Sequence, residues 1–198
     1  MKKIVVAWVF SVLALVGLFA WLGTDMVTPS ANTDQGKALI NGNFSLTNAE
    51  GKTITNADFK DRYLLVFFGF THCPDVCPTG LLLMQNVMNK LGKKAEKLQP
   101  IFITVDPERD TPQVVANYVK NFGNAVIGLS GTPEQIKATA NNYRVYYSKM
   151  VNDDPAMGYM IDHSAFVYLI DPEGNYVTHF SSDSAAQVLE EGIRKHIN

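Results

Sequence analysis

The chain has 198 residues, 46% hydrophobic and 18% charged, with 14 glycines, 9 prolines and only 2 cysteines, a mixture that excludes a disordered, collagen-like or cysteine-stapled protein. Its formal net charge is −2, and without residues 1 to 23 it falls to −4, with 15 basic against 19 acidic side chains. No polybasic footprint for nucleic acid is present, and a 175-residue remainder suits one substantial core better than two small ones.

The first element is apolar. Residues 4 to 24 carry no charge, and 17 of the 19 residues from Ile4 to Leu22 are hydrophobic. A helix of that length spans about 28 Å, enough to cross a bilayer. Lys2 and Lys3 precede it and Trp8 and Trp21 lie towards its ends, which favours a cytoplasmic amino end and places Asp25 and all that follows on the outer side. A cleaved signal peptide is the competing reading, but the run exceeds the usual hydrophobic region of about 7–15 residues and lacks a small-x-small cleavage site. A buried core helix would need a polar stripe that this run does not have. We expect an uncleaved anchor over residues 1–23, a tether over 24–38, where Thr, Pro, Ser, Asn, Asp and Gly mix without period, and a folded domain over 39–198.

Within the domain, Asn43–Thr47 and Lys52–Thr55 read as short strands around the turn Asn48-Ala49-Glu50-Gly51. Tyr63–Phe70 is a nearly continuous apolar run that fits a buried central strand. It leads into a loop bearing both cysteines. Beyond Cys77, the residues Leu81, Leu82, Met84, Val87, Met88 and Leu91 recur at helical spacing. Ile101–Val105 supplies another strand, Asp106–Pro112 a polar loop, and Val114–Phe122 a helix with Val115, Tyr118 and Val119 inward. Val126–Leu129 and Val145–Ser148 read as strands flanking a helix near Pro133–Asn142, with Thr132 as cap and Pro133 as first residue.

Residues 149–160 depart from this period as a polar, methionine-containing excursion. Ser164–Ile170 is a strong apolar strand, Asp171–Asn175 a turn, Tyr176–Thr178 an antiparallel return, and Ser184–Ile197 a closing helix that packs Val188, Leu189, Ile193 and Ile197. The expected architecture is α/β, with a central mixed sheet flanked by helices and a final hairpin forming its antiparallel edge.

The cysteines, Cys73 and Cys77, are four positions apart between a strand and a helix. That spacing suits a disulfide, a pair of metal-ligating thiolates or reversible thiol exchange, and a helix amino end beside them favours a thiolate. A permanent disulfide would close only a small loop and constrain the unfolded chain little. A metal site needs a further ligand. His196 near the terminus and His179 after a short strand carry no motif, and His72 adjoins Cys73 but can point away. His163, immediately before an apolar strand, can face inward from a loop, although a backbone partner would satisfy its ring equally well.

Three segments together carry a more specific pattern: Cys73-Pro74-Asp75-Val76-Cys77-Pro78, Val105-Asp106-Pro107-Glu108-Arg109-Asp110-Thr111-Pro112 and Asp162-His163-Ser164-Ala165-Phe166. Over about residues 43–197 the chain resembles the SCO/SenC family of membrane-anchored, thioredoxin-like copper proteins. The resemblance implies a thioredoxin-like fold, a copper site formed by Cys73, Cys77 and His163, and a part in assembling the dinuclear copper centre of cytochrome c oxidase subunit II. Soft thiolates suit Cu(I), while imidazole also supports an oxidised Cu(II) state.

The resemblance places Asp106 near copper, tuning the ligands or meeting a partner; an Asp that stabilises the turn before Pro107 is the plainer reading. Pro74 and Pro78 restrict the loop and the helix start, and Gly69 allows a close turn at the strand end. With the anchor, the implied address is a bacterial inner membrane, single-pass, with the domain in the periplasm and an upstream copper donor or thiol reductant as a further partner. The alternative activity is thiol-disulfide exchange, with Cys73 attacking and Cys77 resolving, directed at the cysteines of the oxidase subunit. A structural domain with a fixed disulfide is a third reading.

Overall fold

The computed structural model describes residues 40–151 and 158–197. The expected anchor and tether lie outside these residues, and among the described residues no helix is long and apolar enough to cross a membrane.

A five-stranded mixed sheet forms the centre, in the order β5 (Ile127–Leu129), β4 (Leu98–Thr104), β3 (Tyr63–Gly69), β8 (Phe166–Ile170) and β9 (Tyr176–Ser181). Strands β3, β4 and β5 run parallel. Strands β8 and β9 add antiparallel pairs on the other side of β3. Parallel pairs need crossovers, supplied by α1 (Val76–Leu91) between β3 and β4 and by α2 (Pro112–Val119) between β4 and β5. With α3 (Pro133–Tyr143) and α4 (Ala186–Arg194) the architecture is the expected thioredoxin-like α/β fold.

The continuous apolar run of β3 reflects burial on both faces. Phe67 points to one face, where Gly80 of α1 lies so close that a Cβ there would sit 2.7 Å from the ring. Phe102, paired with Phe67 in register, meets Tyr118 of α2 on the same side. Phe68 points the other way, against Tyr143 of α3 at 5.1 Å and Tyr168 of β8 at 6.1 Å. Both capping expectations for α3 hold: Thr132 accepts from the Gln135 N–H in a reciprocal capping box, and Pro133 opens the helix.

Several expectations change in detail. Leu82 and Val188 face solvent, and Leu83 takes the inward place beside Leu81, because the buried face of α1 is broad enough for either phase to read as periodic. Tyr118 is only half-buried. The largest difference lies after α3. The expected strand Val145–Ser148 is instead β6 (Tyr147–Val151), which pairs antiparallel with β7 (Tyr159–His163) in a hairpin of its own, apart from the central sheet. Residues 149–151 and 159–160 of the polar excursion are therefore strand, and His163 is the last residue of β7 rather than a loop residue. A further small pair, β1 (Ser45–Thr47) with β2 (Thr53–Thr55), matches the expected opening hairpin.

Candidate metal centre

The cysteine loop is built by the abrupt change from strand to helix. β3 ends at Gly69, the Cys73 N–H closes a turn on the Phe70 carbonyl at 3.2 Å, and α1 starts at Val76. Cys77 is thus the second helical residue. Its N–H is 3.4 Å from Cys73 Sγ, so an unsatisfied amide of the helix amino end points at sulfur. Pro78 sits in the first turn, where its missing N–H costs no helical hydrogen bond.

Gly69 acts differently from expectation. Its backbone is not among those with positive φ; what it supplies is space. A Cβ there would lie 2.7 Å from Cys77 Sγ and 2.8 Å from the Phe102 ring.

From the other side, β7 brings His163 so that Nε2 is 3.4 Å from Cys77 Sγ. Phe67 and Phe70 meet its ring edge-on at 6.5 and 5.9 Å. Nδ1 lies 3.2 Å from the Ser164 carbonyl, an interaction that orients the ring with Nε2 towards the sulfurs. The donor atoms of Cys73, Cys77 and His163 all fall within 4.8 Å of one another. They form the one group of three or more His, Cys, Asp or Glu side chains positioned for metal binding among the described residues. His72, His179 and His196 stand outside it. His72 is exposed beside Thr71 and Asp110, and His179 shares a hydrogen bond with the Tyr176 hydroxyl on β9.

The two sulfurs are unequal, and they are not joined in a disulfide. Cys73 is partly exposed and Cys77 is buried. A hydrogen bond from Cys77 holds the Cys73 thiol down to about 4, assisted by His163 and by the N–H groups of Asp75 and Cys77, against the opposing effect of burial. Donating that hydrogen bond, together with burial, pushes Cys77 far up. The resting pair is therefore an outer thiolate and an inner thiol.

Asp106 takes the turn-stabilising role weighed for it, and its carboxylate stands outside the group of donor atoms formed by the cysteines and His163. Its carbonyl accepts from the Arg109 and Asp110 N–H groups, closing the turn. Its fully buried carboxylate accepts from Arg109 Nε at 2.5 Å and from the Tyr159 hydroxyl at 2.6 Å. The sequence reading passed over Asp110, which is equally buried. Its carboxylate accepts from the Thr71 N–H at 2.9 Å, the Thr71 hydroxyl at 2.5 Å and the Thr104 hydroxyl at 2.7 Å. It fastens the start of the cysteine loop to the end of β4. A shallow groove of about 260 Å³, lined by Phe70, Pro74, Val76, Met160 and Ala165 among others, opens beside Cys73 and His163.

Comparison with known proteins gives these residues a family. Residues 32–198 match the SCO1/SenC family model. The chain belongs to the SCO1/SenC family. It is similar to the crystal structure of Arabidopsis thaliana ScoI with copper bound, at 41% identity and a TM-score of 0.73, covering 79% of this chain and 96% of that one. It is also similar to Bradyrhizobium japonicum ScoI with copper bound, at 41% identity and a TM-score of 0.71, covering 79% and 99%. The mitochondrial SCO1 homolog 1 of Arabidopsis thaliana is 42% identical over 163 residues, 82% of this chain. The chain spans about half of that relative, 48% of its length.

Proposed function

We propose that this SCO1/SenC protein is a copper chaperone that holds the ion through Cys73, Cys77 and His163 and helps assemble the dinuclear copper centre of cytochrome c oxidase subunit II. The observation that carries the reading is the convergence of two sulfurs and one imidazole Nε2 within 4.8 Å. Copper bound in the ScoI relatives and the family's association with oxidase assembly support it. Two thiolates match Cu(I), and the imidazole accommodates Cu(II) as well.

The unequal sulfurs suggest an order of events. Cys73, accessible and already a thiolate, meets the ion first; Cys77 yields its proton as the ion moves inward; His163 closes the coordination with Nε2 already turned towards the sulfurs. Delivery reverses the sequence as partner ligands replace these one at a time. An anchor over residues 1–23 in a bacterial inner membrane would hold the domain on the periplasmic side, next to a membrane-bound oxidase, where an upstream donor supplies copper.

The test is Cu(I) titration of the reduced, detergent-solubilised full chain against a competing chelator, for the native protein and for Cys73→Ala, Cys77→Ala and His163→Ala. One ion per native chain, loss in both cysteine variants, and Cu(I) retained but Cu(II) lost in His163→Ala are the expected results. Unchanged binding in all three variants would refute the site.

The thiolate–thiol asymmetry also favours a second reading, thiol-disulfide exchange. Cys73 attacks a disulfide in the oxidase subunit to give a mixed disulfide. Cys77 then loses its proton, attacks Cys73 Sγ and releases the reduced partner, leaving a Cys73–Cys77 disulfide for an upstream thiol reductant to restore. Stoichiometric reduction of an oxidised subunit II copper domain by the metal-free dithiol would establish this activity alongside copper transfer.

A further inference from the structure

The copper reading leaves unexplained how a two-stranded hairpin holds a ligand in place. β6 and β7 pair only with each other within the described sheets, and isolated two-stranded hairpins are marginal in water. Side chains must therefore set where β7 lies. Side chains alternate along a strand, so Tyr159, Ile161 and His163 share one face. The middle residue, Ile161, is buried in the core. The third is the candidate ligand. The first, Tyr159, is held on several sides: its hydroxyl donates to Asp106 Oδ1 at 2.6 Å, its carbonyl accepts from Arg109 Nη1 at 3.0 Å, and the Arg109 guanidinium lies 3.7 Å from the ring centroid. Lys149 Nζ lies 4.6 Å from the same centroid and pairs with Glu108 at 2.6 Å.

Every one of these fastenings ends on the turn Asp106–Asp110. The same turn, through Asp110, holds Thr71 at the start of the cysteine loop. The two halves of the candidate site are thus referenced to one five-residue turn, one carboxylate to each half.

We propose that Arg109, together with Asp106 and Tyr159, is a positioning device that sets the reach of His163 to the cysteines. Arg109 spans the turn and β7 with two hydrogen bonds and a stacked ring, for which a planar fork is suited and an ammonium is not. Tyr159 is four residues from His163, about 13 Å along the strand, so the clamp never touches the ion. It acts by fixing the register and tilt of β7, leaving the cysteine pair to Asp110.

The proposal rests on the copper reading for its consequence, and its first measurement is independent of copper. Amide hydrogen exchange of the metal-free, reduced full chain is compared for the native protein, Arg109→Met, Arg109→Lys and Tyr159→Phe. Residues 161–164 in Arg109→Met should exchange faster by about tenfold or more, the size expected from losing a charge-assisted hydrogen bond, with β3 and β4 unchanged. Tyr159→Phe, which removes one hydroxyl, should shift the same residues less, and Arg109→Lys should recover part of the protection. With copper, all three should bind one Cu(I) per chain, whereas Arg109→Met should lose the nitrogen hyperfine signature of Cu(II) and bind it about 10–100-fold more weakly.

Native exchange at 161–164 in both Arg109→Met and Tyr159→Phe would overturn the proposal. So would global loss of protection in Arg109→Met combined with no change in Tyr159→Phe. Failure of the native protein itself to bind copper would refute the chaperone reading instead, with the exchange measurement still deciding the clamp.

Discussion

The cysteines and the histidine are carried by unlike parts of the molecule. Cys73 and Cys77 follow β3, which is buried on both faces, paired on both edges and joined by the short loop 70–75 to a 16-residue helix. His163 ends a five-residue strand whose one partner, β6, is itself exposed at Lys149, Met150 and Val151. The sulfurs are placed by the central sheet and its helix; the imidazole is placed at the end of a thin ribbon by the core residue Ile161, the Phe67 and Phe70 rings and a few polar contacts. Under the proposed function, a rigid pair of sulfurs on one side and a separately positioned imidazole on the other would suit a protein that both holds an ion and gives it up.

The comparison can be broken most severely at the sulfurs. Cys77→Ala should abolish stoichiometric Cu(I) binding, well beyond the loss of about 10–100-fold typical of residues behind the ligands, as read by chelator competition. Next is Gly69→Ala, whose Cβ would meet both Cys77 Sγ and Phe102. Overpacking there should cost about 1–3 kcal/mol of stability in denaturant unfolding and displace the inner sulfur. Asp110→Ala strands three donors from Thr71 and Thr104. At about 1–3 kcal/mol for a buried unsatisfied group, it should lower stability and loosen the cysteine loop without altering exchange in β7, separating the two halves.

A subtler probe is the pH profile of Cys73 alkylation. With the thiol held down to about 4, the rate should be flat from mildly acidic to neutral pH and fall only as the proton returns near pH 4. Removing the Cys77 hydrogen bond by Cys77→Ala should move the midpoint up furthest, and His163→Ala less, in the order of their contributions. The smallest effect belongs to the exposed pair Lys149–Glu108. Lys149→Met should change stability by about 0–1 kcal/mol in denaturant unfolding, so a large loss would show that the hairpin depends on its rim more than on Arg109.

How much of this could be read in the sequence follows the same division. The core strand was legible because burial on two faces leaves an uninterrupted apolar run from Leu64 to Phe68, and the helix after Cys77 because its buried side chains recur with the helical period. The hairpin was not. Lys149, Met150 and Val151 are all exposed, so β6 has no alternation to reveal it. His163 could be nominated through its motif, but its place at the end of a strand depends on pairing with Tyr147, a contact that local pattern does not encode. The burial of Asp106 and Asp110 in what reads as a polar loop was not legible because their partners, Tyr159 and Thr71, lie 53 and 39 residues away.

The hydrogen atom that stands for a side chain at Gly69 has one more effect. A Cβ at Gly69 would meet Cys77 Sγ, so the bare strand backbone stands on one side of the buried inner sulfur, while Cys73, His163 and the groove lie on another. Under the proposed chaperone function, cargo would enter and leave through that groove, and a donor and a recipient would take turns at the same threshold, so that loading and unloading of one molecule would exclude each other by simple crowding.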